Sequence, residues 1–248
     1  MRIVEAGPLK VRALGGDDRQ GGGDGPSVVL LHGYGVPGND LVLLPRLARV
    51  ATPQPLRWFF PEGPLVIDGQ PGGPARAWYA VDRAAIQRRV EAEQPPYPIR
   101  DSVPPGMDGA VDQVEACLDV LAREHGVAPS RTILGGFSQG AVMATALVLR
   151  HRPLFAGAAL LSGRLLEPDA MEAPLRELGA ELQVFLAHGT ADAVIPFANG
   201  VALRDVLQAH GASLEWFPYP GGHAITSEVH AALASYCLRR LGPTLPAP

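Results

Sequence analysis

The sequence predicts one α/β domain built on a mostly parallel, doubly wound sheet with helices on both faces. Strand-like and helix-like segments alternate along the chain with no internal repeat and no second core. Apolar runs such as Ser27-Val28-Val29-Leu30-Leu31 lack polar alternation, the pattern of strands buried on both faces of a parallel sheet. The 248 residues suit a single large domain, 1–248, with a substantial core.

The elements follow in order. Pro8 to Leu14 alternates Leu9, Val11 and Ala13 with Lys10 and Arg12, so it reads as a first strand. Residues 15–26 are Gly- and Asp-rich without apolar periodicity and read as a flexible loop. The central strand Ser27–Leu31 ends in His32-Gly33-Tyr34-Gly35, a loop able to aim a backbone N–H at a site beyond the strand end. His32 reads as a structural hydrogen-bonding group there. Asn39 or Asp40 is expected to cap a helix from Leu41 to about Val50, bent or shortened by Pro45.

Arg57-Trp58-Phe59-Phe60 is the next strand, and Glu62 to Pro74 a loop, with Gly69, Pro71, Gly72, Gly73 and Pro74 in its second half. Trp78 and Tyr79 follow, read as core or pocket lining. Ile86 to Glu93 is a short surface helix. Residues 94–106 hold Pro95, Pro96, Pro98, Pro104 and Pro105 and cannot be a central element. A surface excursion is the simpler reading of them, a flap over the site the other.

Val111, Val114, Leu118 and Leu121 mark an amphipathic helix over Asp108 to Glu124. Arg131 to Gly135 is a strand and Ala141 to Arg150 a helix, and between them lies Gly136-Phe137-Ser138-Gln139-Gly140. A serine on a tight strand-to-helix turn has its hydroxyl pushed out at the top of the sheet, and the flanking glycines let strand and helix approach closely. Strands Ala156–Leu161, Gln183–Ala187 and Leu214–Tyr219 and helices from Phe197 to His210 and Ser227 to Leu241 complete the chain, before the proline-rich tail 242–248.

Ser138, Asp192 and His223 each follow a predicted strand. Carboxyl ends of parallel strands share one sheet edge, where open α/β folds place their sites. A serine hydroxyl attacks only when a neutral imidazole takes its proton, and the resulting imidazolium is held by a carboxylate. Taken alone, Asp192 could simply cap a turn, and Gly221-Gly222 could simply serve one. Together, in the order Ser, Asp, His, they point to nucleophilic catalysis.

Composition narrows the rest. With 47% hydrophobic and 19% charged residues the chain is an ordinary globular protein, and a net charge of −4 argues against nucleic acid or an anionic membrane as partner. Cys117 and Cys237 lack C-x-x-C spacing and read as reduced core thiols. No two histidines are spaced as metal ligands on one element, and no G-K-[ST] or G-x-G-x-x-G pattern calls for a nucleotide cofactor. Neither metal nor cofactor is expected. Met1 to Lys10 has no apolar h-region and no stretch reaches ~18 apolar residues, so a cytoplasmic protein without membrane insertion is expected, its oligomeric state open between monomer and homodimer.

Leu31 to Gly35, Asp40-Leu41 with Leu44-Pro45, Gly135 to Ala141, His188-Gly189-Thr190-Ala191-Asp192 with Val194-Ile195-Pro196, and Gly222-His223 together resemble the phospholipase/carboxylesterase family of α/β-hydrolases. That family includes bacterial carboxylesterases and acyl-protein thioesterases. The resemblance implies Ser138 as nucleophile, His223 as base, Asp192 as its orienter, and the backbone amides of Tyr34 and Gln139 as oxyanion hole. It places Trp78, Tyr79 and Tyr34 by the substrate, with Tyr34 where leucine is frequent and Ala80 where an acid is common. The implied activity is hydrolysis of short to medium acyl esters through an acyl-enzyme. A thioesterase or lysophospholipase with the same triad is the alternative, and a catalytically silent binding protein on a hydrolase fold the distant one.

Overall fold

The computed structural model describes residues 1–47, 54–67 and 74–242. In chain order the elements are β1 (Arg2–Ala6), β2 (Leu9–Gly16), β3 (Gln20–Gly22), β4 (Ser27–Leu31), α1 (Leu44–Leu47), β5 (Arg57–Pro61), β6 (Leu65–Ile67), β7 (Ala75–Ala77), α2 (Arg83–Glu91), α3 (Met107–His125), β8 (Thr132–Phe137), α4 (Gln139–Arg150), β9 (Gly157–Leu161), α5 (Pro168–Leu178), β10 (Gln183–Gly189), α6 (Phe197–Ala209), β11 (Ser213–Tyr219) and α7 (Ser227–Leu241).

The main sheet runs β1-β2-β5-β4-β8-β9-β10-β11, with β3 beside β2. From β5 to β11 all pairs are parallel, while β1 and β2 form an antiparallel hairpin whose second strand pairs antiparallel with β5. Every residue of β4 is buried, and alternate side chains serve different cores. Val29 and Leu31 pack with residues of α3, α4, α5 and α6, whereas Val28 and Leu30 pack with Leu44 of α1 and with Val229, Leu233 and Cys237 of α7. Helices therefore cover both faces. Pro218 is accommodated in β11 because that strand lies at the sheet edge, where a missing N–H costs no ladder bond.

Several expectations change at this level. Residues 15–26 are not simply a flexible loop. Gly15 and Gly16 end β2, and β3 returns beside it. The turn between them is closed by the Asp18 carboxylate, which accepts from the N–H groups of Gln20 and Gly22 at 2.7 and 2.9 Å. Buried Arg57 then reaches across to the carbonyls of Gly25, His125 and Gly126 at 2.9, 2.6 and 2.7 Å, tying the segment to the C-terminus of α3. Polar side chains supplied the order that apolar periodicity could not reveal.

The helix expected from Leu41 to Val50 begins as a 3₁₀ turn over Asp40–Leu43 and becomes α-helical at Leu44, and its expected end lies outside the described residues. Asn39 occupies the cap position without a side-chain hydrogen bond. The loop expected over 62–74 contains β6, which pairs with β7, and 68–73 lie outside the described residues. β1 and α5 were not anticipated. β1 is half exposed, and α5 carries an internal proline, Pro174. Of the tail, Gly242 follows α7 and the remainder lies outside the described residues.

Candidate active site

The site forms where β4, β8, β10 and β11 end. Ser138 sits between β8 and α4 at φ 56° and ψ −118°, a strained conformation for a residue with a Cβ. What holds it there is the close crossing of strand, helix and neighbouring loop. A Cβ on Gly140 would stand 2.0 Å from the Leu31 carbonyl oxygen, so glycine is required at that position. The Ser138 N–H donates to the Leu161 carbonyl at 2.9 Å, and its hydroxyl makes no helix-capping bond. That hydroxyl lies instead 2.9 Å from Nε2 of His223.

His223 is carried on the loop after β11. Its Nδ1 lies 2.7 Å from Oδ2 of Asp192, and its ring packs 4.7 Å from that of Phe137. The loop is seated by Gly189, where an added Cβ would fall 2.5 Å from the carbonyl oxygens of Gly221 and Gly222. Tyr219 secures it from below: its hydroxyl donates to the Ala224 carbonyl at 2.5 Å.

Asp192 does two jobs. Its Oδ1 accepts from the N–H groups of Val194 and Ile195, both at 2.9 Å, and Oδ2 faces His223. The turn-capping role and the partnership with histidine thus belong to the two oxygens of one carboxylate. Burial pushes this carboxyl's pKa up, but the hydrogen bond and charge of His223 and the two N–H donors outweigh it, holding Asp192 below its ordinary value. His188, fully buried, donates from Nε2 to the Ile195 carbonyl at 2.8 Å and so braces the same turn; burial lowers its pKa.

The loop after β4 completes one wall. His32 donates from Nδ1 to the Gly33 carbonyl at 2.7 Å and accepts at Nε2 from the Gly63 N–H at 2.8 Å, the structural role expected for it. Its burial lowers the pKa to about 4. The Gly35 N–H donates to the carbonyl of Arg76 in β7 at 2.9 Å and the Arg76 N–H donates to the Val36 carbonyl at 2.7 Å, tying down the loop that carries Tyr34. Among the described residues the backbone N–H groups of Tyr34 and Gln139 donate to no protein acceptor. Tyr34, Ser138 and Gln139 line one cavity of about 320 Å³, with Tyr79, Ile195, Arg164 and residues of the 94–106 segment around them.

Two expectations need correction here. Trp78 does not line that cavity. It is buried, its indole N–H donates to the His32 carbonyl at 2.9 Å, and its ring lies 5.0 Å from the His32 ring, so it is core. Tyr79 and Tyr34 do line it. The 94–106 segment is more than a surface excursion, since Pro96, Tyr97, Pro98, Pro104 and Pro105 form part of the cavity wall.

Other contributors went unnoticed in the sequence. The Gln139 side chain accepts from the Trp78 N–H and donates to the Tyr79 carbonyl, at 2.9 and 2.8 Å, pinning that segment to the serine turn. Arg164 lies three residues past the end of β9, at the same sheet edge as the other site residues, and that position was the available signal.

A serine, a histidine and a carboxylate in hydrogen-bond sequence at the carboxyl edge of such a sheet define a serine hydrolase of the α/β-hydrolase fold. The comparisons narrow the class. The profile of the phospholipase/carboxylesterase family matches residues 23–237, and the chain belongs to that family. It is 28% identical over 226 residues to acyl-protein thioesterase 1 of Neurospora crassa, covering 87% of this chain and 86% of that protein. It is 27% identical over 216 residues to a probable carboxylesterase of Oryza sativa subsp. japonica, covering 86% and 77%. Among solved structures, esterase PE8 superposes with a TM-score of 0.72 at 27% identity, covering 94% of this chain and 99% of that one. The protein is an esterase-type hydrolase.

Proposed function

We propose that Ser138 is the nucleophile, His223 the general base and then acid, and Asp192 the group that orients the imidazole. The observation that carries this is the unbroken relay at the cavity: Ser138 Oγ to His223 Nε2 at 2.9 Å, and His223 Nδ1 to Asp192 Oδ2 at 2.7 Å. Nε2 takes the hydroxyl proton as Oγ bonds to the substrate carbonyl carbon. The oxyanion that forms is received by the N–H groups of Tyr34 and Gln139. Collapse breaks the ester bond, and the His223 proton leaves with the alcohol. Water, deprotonated by the same nitrogen, then hydrolyses the acyl-Ser138 ester and regenerates the enzyme.

The substrates we assign are carboxylic esters of short to medium acyl chains. The supporting features are the modest cavity and the large Tyr34 and Tyr79 rings that line it. A thioesterase acting through the same residues is the second reading, favoured by the likeness to acyl-protein thioesterase 1. Buried, unpaired Cys117 and Cys237 fit a reducing, cytoplasmic setting. The test is kcat/KM on matched esters and thioesters of graded acyl length, with peptide mapping after treatment with a serine-directed phosphonate. Label on Ser138 and turnover of short esters are expected; label on another serine overturns the assignment.

A further inference from the structure

The cavity above Ser138 shares part of its wall with a second one, and the charged side chain common to both walls is Arg164. Val142 and Arg164 line both the catalytic cavity and an apolar groove of about 310 Å³. That groove is walled by Ala146 and Leu149 of α4, Met107 of α3, and Leu166 and Met171 at α5. Arg164, common to the walls of both spaces, is only 6% exposed. Its guanidinium donates to Asp101 at 2.5 Å and lies 4.5 Å from the centre of the Tyr97 ring. The same stretch is stitched down twice more. The Glu167 N–H donates to the Asp101 carbonyl at 2.9 Å, and the Val103 N–H donates to the Glu167 carboxylate at 3.3 Å.

No step of ester hydrolysis uses this guanidinium, and the groove behind it is lined mainly by apolar side chains. We propose that Arg164, latched to Asp101 under Tyr97, is the residue that sets acyl-chain length: it ends the acyl site at the catalytic cavity and withholds the adjacent groove from substrate. The inference rests on the esterase reading above. An alkyl chain advancing past Val142 must part the guanidinium from Asp101 and Tyr97, and methylenes return no hydrogen bond for those lost. Up to the latch, each methylene that finds apolar contact raises kcat/KM roughly fourfold. Beyond it the gain stops.

The test is kcat/KM on p-nitrophenyl esters from acetyl to palmitoyl for four proteins: wild type, Arg164→Leu, Asp101→Ala, and Arg164→Leu combined with Ala146→Trp. In wild type the values rise over the first few carbons and fall before decanoyl. Arg164→Leu raises the decanoyl-to-butyryl ratio by ~10-fold or more, as two or more further methylenes become buried. Ala146→Trp obstructs the groove and takes most of that gain back. Asp101→Ala moves the ratio the same way by less, and its partly exposed position keeps the question answerable if Arg164→Leu does not fold.

An Arg164→Leu protein that folds and keeps the wild-type profile overturns the proposal, as does a gain that survives Ala146→Trp. If Arg164→Leu cannot be obtained folded, an unmoved profile in Asp101→Ala overturns it as well. A wild type that hydrolyses none of these esters defeats the esterase reading itself, a distinct result.

Discussion

The strand-end relay and the cover above it are built on opposite principles. Ser138, Asp192 and His223 ride on turns that leave the parallel strands β8, β10 and β11, and each is held by backbone hydrogen bonds or by backbone-to-backbone contact only glycine permits. The 94–106 segment has no regular structure, and side chains fasten it: Asp101 to Arg164, Tyr97 over the same guanidinium, and Val103 to Glu167. Proton transfer tolerates little displacement, so the reacting atoms sit where the scaffold leaves no freedom. Under the proposed reading, substrate choice rests on the part that side-chain substitution can reshape without moving the sheet.

Substitutions in the relay should therefore cost orders of magnitude in rate, and those in the cover should redirect it. Ser138→Ala sits at the extreme: turnover should fall ~10⁴-fold or more with thermal stability retained, because the relay acts as a unit. Near-native turnover in a folded Ser138→Ala would end the division of labour just drawn. Asp192→Asn should lower kcat by ~10³-fold or more at every pH tested, since the amide favours the wrong imidazole tautomer. In wild type the rate should fall on acidification, because only neutral imidazole accepts the serine proton. A flat acid limb with chemistry rate-limiting would remove His223 from the role.

Tyr219 probes the seam between chemistry and scaffold. Its side chain is not among those lining the catalytic cavity, and its hydroxyl fastens the His223 loop through Ala224. Tyr219→Phe should lower kcat by ~10-fold while leaving KM within about twofold, since the loss is of orientation rather than binding. A structural role alone would lower the melting temperature and leave kcat of the folded enzyme unmoved.

Acid should also act on the scaffold through His32, whose pKa falls from 6.5 to about 4 on folding because the ring is buried. Between those values the unfolded chain binds the proton more readily than the folded one. Stability is then fully present above 6.5, is lost as pH falls toward 4, and changes no further on this account below it. Melting temperatures across that window should decline in wild type and decline less in His32→Gln; equal slopes would show that other groups dominate.

The smallest effect belongs to the cover's opposite rim. Tyr34→Leu should shift the preferred acyl length by a carbon or two and alter short-ester turnover by about threefold or less, because the proposed oxyanion donor is a backbone amide. An unmoved preference would mean that the ring, though it lines the cavity, does not touch the acyl chain.

Much of the relay was legible because its parts are local patterns. Gly136 to Gly140 between a strand and a helix, Asp192 after an apolar run, and His223 behind two glycines each announce themselves within a few residues. The strand and helix order was legible for the same reason, since buried strands and amphipathic helices carry their periodicity in the sequence. Residues 15–26 were misread because their order depends on Asp18 and on Arg57, whose partners lie as far off as Gly126. α5 contains Pro174, a helix-disfavouring residue, and what stabilises it is Met171, Leu175 and Leu178 packing into the core, which exists only in the folded chain.

By itself, then, the sequence determined the α/β class, the order of its main buried strands and amphipathic helices, and the three side chains that could carry the chemistry. Only the tertiary structure decided which neighbours those side chains have. It assigned Trp78 to the core and Tyr79 to the cavity, although the two are adjacent in sequence and equally aromatic. It likewise brought Asp101 and Arg164 together across 63 residues, at a place where Arg164 lines both cavity and groove. The physical reason is range. Periodicity, turn chemistry and glycine patterns act over a few residues and survive in one dimension, whereas burial and the pairing of distant charges exist only once the chain has packed.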